Sequence, residues 1–129
     1  MNKDDVFSEL KKITFDSKEY WITSGAALVL YGIKEETRDI DLGCTSKLAD
    51  KLQSEGYYTE VLNDGTRRIQ LSDSVEIFEN WIEDKVAMVE GIPVVSVEGI
   101  ILMKEKLGRN KDLRDICLIK KWQNKNETV

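Results

Sequence analysis

The chain has 129 residues, of which 41% are hydrophobic and 33% are charged. This length suits one small domain, and the composition predicts a soluble globular protein rather than a disordered one. The net charge of −5 at pH 7 argues against extended binding to nucleic acid. Histidine is absent from the sequence, which excludes histidine-based triads and histidine metal ligands.

Two further features concern the cellular environment. No apolar stretch approaches the roughly 20 residues that a membrane-spanning helix needs, and the N-terminal residues do not resemble a signal peptide. We therefore expect a cytoplasmic protein without membrane association. Cys44 and Cys117 are too few for a zinc site, and we expect ordinary buried or half-buried thiols.

The first third of the chain predicts an alternation of helices and strands. Residues 3–12 carry apolar side chains at helical spacing and predict an amphipathic helix that covers a sheet. Residues 20–23 predict a short strand, after which Ser24-Gly25 opens a second helix. Residues 39–42 alternate acidic and apolar side chains, as in a strand that is buried on one face.

The rest of the chain predicts a mixed α/β (α+β) domain with further strands and two final helices. The predicted elements are a helix at 45–56, strands at 57–62, 67–71 and 75–78, a helix or loop at 80–89, a strand at 91–95, and helices at 96–107 and 112–122. Asn63-Asp64-Gly65 is typical of a hairpin turn. Pro93 lacks an N–H donor, so its strand is predicted at an edge or as a lead-in. We expect the domain to span residues 1–122 and a polar, frayed tail to span 123–129.

The chemically distinctive residues begin at the Ser24-Gly25 turn. A helix start leaves backbone N–H groups unpaired, which suits a phosphate. Asp39 and Asp41 project from one face of their strand and repel each other unless a cation or proton lies between them. Hard carboxylate oxygens of this kind suit Mg²⁺. Glu76, in mid-strand, is either a third acid of this site or a solvated side chain, and Glu79 could replace it if a bulge intervened.

These residues resemble the signature of the nucleotidyltransferase-fold superfamily, which includes antibiotic nucleotidyltransferases and toxin-like minimal nucleotidyltransferases. The family motif is a Gly-Gly or Gly-Ser turn, about ten residues, and an acid-hydrophobic-acid strand, matched here by Ser24-Gly25 and Asp39-Ile40-Asp41. In the toxin-like branch, Gly, Arg and Thr precede the acids. Gly32 and Thr37 match that extension, whereas Glu35 stands where the branch commonly has Arg.

The late segment from Lys104 to Asp115 resembles the same branch. Its pattern is a helical Lys followed by Arg-x-Lys-Asp-x-x-Asp, which is matched by the following residues: Lys104, Arg109, Lys111, Asp112 and Asp115. Lys104 could neutralise triphosphate oxygens, and the two acids could hold Lys or Arg side chains in place. The alternative is two solvated helix ends with ion pairs at i,i+3 spacing.

The resemblance implies a nucleotidyltransferase-like mixed sheet flanked by helices, and transfer of a nucleoside monophosphate from a nucleoside triphosphate to an acceptor hydroxyl. Its implied metal ligands for Mg²⁺ are Asp39, Asp41 and Glu76, with Lys104 completing the catalytic set. The implied nucleotide-binding residues are Ser24, Gly25, Thr37, Arg38, Arg109 and Lys111. Lys34 or Arg38 could replace the cation absent at position 35.

Two alternatives stay open at this point. The first is a catalytically degenerate member of the same fold that binds nucleotide or a protein partner. The second is a plain α/β interaction protein whose Asp39 and Asp41 mark a solvated strand end. The sequence does not identify the acceptor or the nucleotide, and a domain this small often completes its cleft with a second subunit, so a homo-oligomer is one expectation.

Overall fold

A computed structural model of the protein describes residues 1–81 and 86–127, with side chains through Lys125. The elements in chain order are α1 (Lys3–Leu10), β1 (Tyr20–Thr23), α2 (Ser24–Leu30), β2 (Ile40–Cys44), α3 (Ser46–Ser54), β3 (Thr59–Val61), β4 (Arg67–Gln70), β5 (Val75–Glu79), β6 (Val86–Val89), β7 (Ile92–Val95), α4 (Val97–Leu107) and α5 (Asn110–Glu127). The strands form one seven-stranded sheet in the order β3-β4-β5-β2-β1-β7-β6. The predicted class, a mixed sheet flanked by helices in a single small domain, is confirmed.

The sheet mixes parallel and antiparallel pairs around its centre. β2 is antiparallel to β1 and parallel to β5, while β1 is parallel to β7. Ile22, Leu42, Ile77 and Ile69 lie in one row across four strands, and all four are fully buried. This row forms the core face of the sheet, because paired residues point to the same side.

Capping residues fix where the helices begin and end. Asn2 makes a reciprocal capping box with Asp5 at the start of α1. Thr45 and Ser96 accept backbone hydrogen bonds at the starts of α3 and α4. Gly108 ends α4 in the left-handed conformation, with φ 60°. The predicted starts of α3 and α4 and the predicted stop of α4 are confirmed, whereas α5 begins at Asn110, two residues before the predicted start at Asp112.

Three predictions about the second half of the chain are wrong. The segment 80–89, predicted as a helix or loop, contains strand β6, although residues 82–85 lie outside the described part. β6 forms the sheet edge, so β7 with Pro93 is an interior strand rather than an edge. A single missing donor did not prevent this, because β7 still pairs on both sides. The tail predicted to be frayed at 123–129 is also helical as far as Glu127, and residues 128–129 lie outside the described part.

An aromatic contact explains the glycine in β2. The Trp21 indole lies directly over Gly43, and its Nε1 donates to the Trp81 carbonyl oxygen at 2.8 Å. A Cβ at position 43 would stand 2.5 Å from that carbonyl oxygen and closer still to the indole. The Phe78 ring braces Trp81, with centroids 4.7 Å apart. Only glycine leaves room for this arrangement.

We expect Gly43→Ala to lower the free energy of unfolding by about 2 kcal/mol, because overpacking forces the indole and the adjacent backbone apart. Urea denaturation followed by circular dichroism measures the change. Gly65→Ala is not a matched control, because Gly65 has a positive φ of 86°. Val61→Ile, which adds one methyl group at a 65% exposed strand position, is the control. An unchanged unfolding midpoint for Gly43→Ala would contradict the packing argument.

Candidate functional site

The strand register places two acids side by side. Asp41 in β2 lies directly opposite Glu76 in β5, and Asp39 comes immediately before β2. Thr23 of β1 lies opposite Asp41 on the other side. All of these paired side chains point away from the core face, because they alternate with the buried row. Glu76 therefore lies on the same face of the sheet as Asp41, as a third acid of the predicted site requires, and its role in that site stays a prediction.

Glu79 does not offer the alternative acid. The pairing of β2 with β5 continues without a bulge from Val75 to Glu79, so Glu79 points to the opposite face from Glu76. There its carboxylate binds the Arg67 guanidinium at 2.6 Å, and Arg67 also contacts Asp50 at 2.7 Å. The hydrogen bonds from Arg67 hold the pKa of Glu79 at about 2. This network has a structural role beside α3.

The electrostatics single out Asp41. Burial is the largest cause that raises its pKa to about 6, and the charges of Glu76 and Asp39 raise it further. Arg68 and Lys111 oppose this rise only partly. The protein thus holds Asp41 where its ionised form is disfavoured, and a cation bound beside it would relieve that cost.

The raised pKa predicts that Asp41→Asn stabilises the protein. A carboxyl group whose folded-state pKa exceeds its ordinary value of 3.8 favours folding while it is protonated, and that contribution is lost as the pH rises through about 6. We expect the variant to be more stable than the wild type by about 2 kcal/mol at pH 8 and by little at pH 4. Urea denaturation across this pH range measures the difference. Asp73→Asn, in an exposed turn, is the control, and a gain that does not vary with pH would contradict the assignment.

A strained turn lies next to the acids. Ser24, at the start of α2, adopts a positive φ of 55°, which costs energy for a residue with a Cβ. Its neighbour Gly25 allows Thr37 to approach, since a Cβ there would stand 2.6 Å from the Thr37 hydroxyl oxygen. Thr37 in turn donates from its hydroxyl to the Asp39 carbonyl oxygen at 3.1 Å. The turn and the loop that carries Asp39 are thereby packed together.

The N-terminal residue fixes the same loop from the other side. The Met1 carbonyl oxygen accepts a hydrogen bond from the Thr37 backbone N–H at 2.9 Å, and the Met1 amino group donates to the Thr37 carbonyl at 2.7 Å. This pair of bonds holds the loop before Asp39 in one conformation. The sequence contained no sign of it, because the contact joins positions that are far apart in the chain.

A cleft of about 820 Å³ opens beside these acids. It lies between the end of the central strands and the α4–α5 pair. Its polar and charged lining residues are Ser24, Lys34, Glu36, Thr37, Arg38, Asp39, Asp41, Lys104, Arg109, Lys111, Asp112, Arg114 and Asp115. Of the predicted site residues, Glu76 alone is outside the lining. The structure therefore brings together nine of the ten predicted positions in one cleft.

Lys104 differs from the other cations of the cleft. Its residue is only 5% exposed, and its Nζ contacts Asp115 at 2.8 Å and Asp112 at 3.7 Å. Arg109 binds Asp112 as well, at 2.6 Å, and this contact lowers the pKa of Asp112. Lys34 reaches Asp115 at 3.4 Å. The buried part of this ion-pair cluster is the contact of Lys104 with Asp112 and Asp115, which joins α4 to α5.

Three other cations in the cleft have no such partner. Within residues 1–81 and 86–127, Arg38, Lys111 and Arg114 line the cleft without an ion pair at 4.0 Å or less. Lys111 is near enough to Asp41 to lower that residue's pKa. The cleft thus has an acidic part at Asp39 and Asp41 and a basic part around Lys111, a layout that complements a metal ion together with a polyanion.

The acids fit Mg²⁺ as a site with two protein ligands. Mg²⁺ is commonly held by one or two carboxylates, with water and substrate phosphate oxygens completing its shell. Asp39 and Asp41 line the cleft without an ion pair at 4.0 Å or less among the described residues, which meets this requirement. Across the described residues, however, no three Asp, Glu, Cys or His side chains are arranged as a ready metal site. Glu76 instead binds Arg68, with its Oε2 3.2 Å from Arg68 Nε.

The two cysteine thiols differ in their exposure to solvent. Cys44 is buried, and burial is the main cause that raises its pKa to about 12, so the thiol stays protonated. Cys117 is exposed, contrary to the expectation of a buried or half-buried thiol.

Throughout the described chain, no helix combines the length and hydrophobicity required to cross a bilayer.

Sequence reasoning missed Arg68 as a neighbour of the site, and it named Lys34 only as a substitute for the cation absent at position 35. Each lies within ion-pair distance of a predicted residue, Lys34 at Asp115 and Arg68 at Glu76. The signal for Arg68 was available in principle, because its side chain shares a face with Glu76 once β4 and β5 form a hairpin. Lys34 offered no such pattern, since it lies in an irregular loop.

Comparison with known proteins supports the fold. No family model matches the chain, and no curated protein matches it. Among solved structures, it resembles a protein of Thermotoga maritima whose assignment as a nucleotidyltransferase is itself provisional, with a TM-score of 0.57 and 19% sequence identity. The match covers 95% of this chain and 90% of that one. Together with the mixed sheet and the cleft beside its central acids, this likeness shows that the chain has a nucleotidyltransferase-like fold.

Proposed function

We propose that the protein is a Mg²⁺-dependent nucleotidyltransferase. In this reaction an acceptor hydroxyl oxygen attacks the α-phosphorus of a nucleoside triphosphate, the bond between the α-phosphorus and the bridging oxygen breaks, and pyrophosphate leaves. The observation that supports it most is that one cleft holds Asp39 and Asp41 together with cations that have no ion-pair partner among the described residues. Mg²⁺ would supply charge neutralisation at the phosphates when bound.

Each residue of the cleft has its own proposed role in this reaction. Asp39 and Asp41 would hold the metal ion, and Ser24 and Gly25 would face the β- and γ-phosphates. Lys111 and Arg38 are free to contact phosphate oxygens, where fixed positive charge stabilises the charge that develops during transfer. Asp39, Asp41 and Glu76 together are called the acidic group. The proton of the acceptor hydroxyl would pass to one of these carboxylates, with Glu76 as the proposed base or further ligand.

Lys104 takes a different part from the one that the family pattern implies. Because its ammonium group is buried between Asp112 and Asp115, we propose that it positions α4 and α5 around the cleft. Lys111, which is exposed in the same cleft, is then the cation that contacts the triphosphate directly. The toxin-like subtype stays a proposal that depends on Gly32, Thr37 and this late segment.

A catalytically silent nucleotide-binding protein is the second candidate, and the Arg68–Glu76 ion pair favours it. An acid that is occupied by arginine does not complete a metal site, and Glu35 is exposed where the toxin-like branch has an arginine. Such a protein would bind the nucleotide and leave it intact.

The test combines labelled nucleotides with calorimetry. The protein is incubated with each α-³²P-labelled nucleoside triphosphate and Mg²⁺, with tRNA, protein and aminoglycoside acceptors offered separately. We expect label transfer that is abolished by EDTA and by the Asp39→Asn/Asp41→Asn double substitution. Calorimetric binding without transfer to any acceptor would favour the silent protein. No nucleotide binding at all, with or without Mg²⁺, would overturn both.

A further inference from the structure

Glu76 is held by an arginine on the neighbouring strand. Arg68 contacts both oxygens of the carboxylate, with Nε 3.2 Å from Oε2 and Nη2 donating to Oε1 at 3.3 Å. The residue directly opposite Glu76 in β4 is Gln70, so Arg68 reaches it diagonally across the hairpin. Both side chains lie on the face that carries Asp41. A protein cation therefore already occupies one side of the acidic group.

The neighbouring Arg67 gives a comparison, because its side chain is held by several partners and is largely buried. Arg67 is bound by Glu79, Asp50 and Gln53, and its side chain is only 17% exposed. Arg68 is 41% exposed, and Glu76 is its one ion-pair partner within the described residues. Exposed pairs of this kind contribute little to stability and break readily. The Arg68–Glu76 contact is thus suited to opening and closing.

We propose that Arg68 and a divalent metal ion compete for Glu76, an inference that rests on the proposed function. With Arg68 in place, Asp39 and Asp41 offer two carboxylates to the ion and Glu76 is withheld. When Arg68 swings into solvent, Glu76 becomes available beside Asp41, its direct neighbour across the strands. Arg68 is then a positioning residue that sets whether the acidic group has two or three metal ligands.

Competition makes a specific prediction for metal affinity in the absence of nucleotide. Mn²⁺ serves as the probe, because free Mn²⁺ can be counted by electron paramagnetic resonance. We expect Arg68→Gln to tighten Mn²⁺ binding by about three- to fivefold, the range that loss of a partly exposed ion pair implies. In the E76Q background the same substitution should change the affinity by less than about twofold.

Two controls separate competition from a general change of charge. Arg114→Gln removes the same charge from the cleft, but Arg114 does not contact Glu76. Its effect on Mn²⁺ affinity should therefore be the same with and without the Glu76 carboxylate. Thermal unfolding of every variant verifies that each is folded. Asp41→Asn reports whether the measured Mn²⁺ ion occupies the acidic group.

The outcomes distinguish this inference from the proposed function. If Mn²⁺ binding depends on Asp41 but Arg68→Gln has no effect, or has an equal effect with and without Glu76, competition is overturned and the proposed metal site stands. If the wild-type protein binds no Mn²⁺, or binds it independently of Asp41, the proposed metal chemistry fails and this inference fails with it.

Discussion

Asp41→Asn is expected to weaken binding of a Mg²⁺–nucleoside triphosphate complex by about a hundredfold or more. Asp41 is one of the two proposed metal-binding carboxylates in the cleft, and burial and the charges of Glu76 and Asp39 disfavour its ionised form in the absence of a cation. Removal even of a group that only supports a metal ligand costs about 10- to 100-fold in affinity, so loss of a ligand should cost at least as much. Calorimetric titration with a non-hydrolysable triphosphate and Mg²⁺ measures the change.

This result is informative because the same substitution should stabilise the fold at neutral pH. Loss of binding in a protein that unfolds less readily cannot be attributed to damage to the fold, and opposed effects on stability and function are common at active sites. Asp73→Asn, with an equal change of charge in an exposed turn, should leave binding intact. Unchanged affinity for Asp41→Asn would remove Asp41 from the metal site.

Local patterns in the sequence were sufficient to predict the acidic strand. Asp39 and Asp41 alternate with Ile40 and Leu42, and this period of two places both acids on the face opposite the core whatever the neighbouring strands are. The position of Glu76 followed from the same alternation around Val75 and Ile77. Its exact placement opposite Asp41 required the register between β2 and β5, which no local pattern encodes.

Two of the wrong or incomplete predictions depend on contacts that the segment's own pattern does not encode. Strand β6 could not be separated from a helix by its short apolar run, and it becomes a strand because β7 offers it a partner. The burial of Lys104 depends on how α5 packs on α4. An exposed lysine and a buried one look alike in a helical pattern, so the sequence suggested a phosphate contact where the structure has an ion-pair cluster.

Lys104→Met is the substitution that decides between these two roles. Met has a similar length but no charge, so Asp115 loses its 2.8 Å partner and the buried Asp112 loses a second cation. Removing one member of a buried ion pair costs about 3–5 kcal/mol because the remaining charge is left in a poor environment. Asp112 keeps Arg109 and Asp115 keeps Lys34, so we expect a loss near the lower end, about 3 kcal/mol, in urea denaturation.

A structural role and a phosphate-binding role for Lys104 predict different effects on stability and on nucleotide binding. Lys106→Met, on the exposed side of the same helix, should shift the free energy of unfolding by less than about 0.5 kcal/mol. Lys111→Met should weaken triphosphate binding without lowering stability, since Lys111 is exposed and has no ion-pair partner within the described residues. If Lys104→Met instead preserves stability and abolishes nucleotide binding, then Lys104 contacts the phosphates, and α4 and α5 must separate to let it do so.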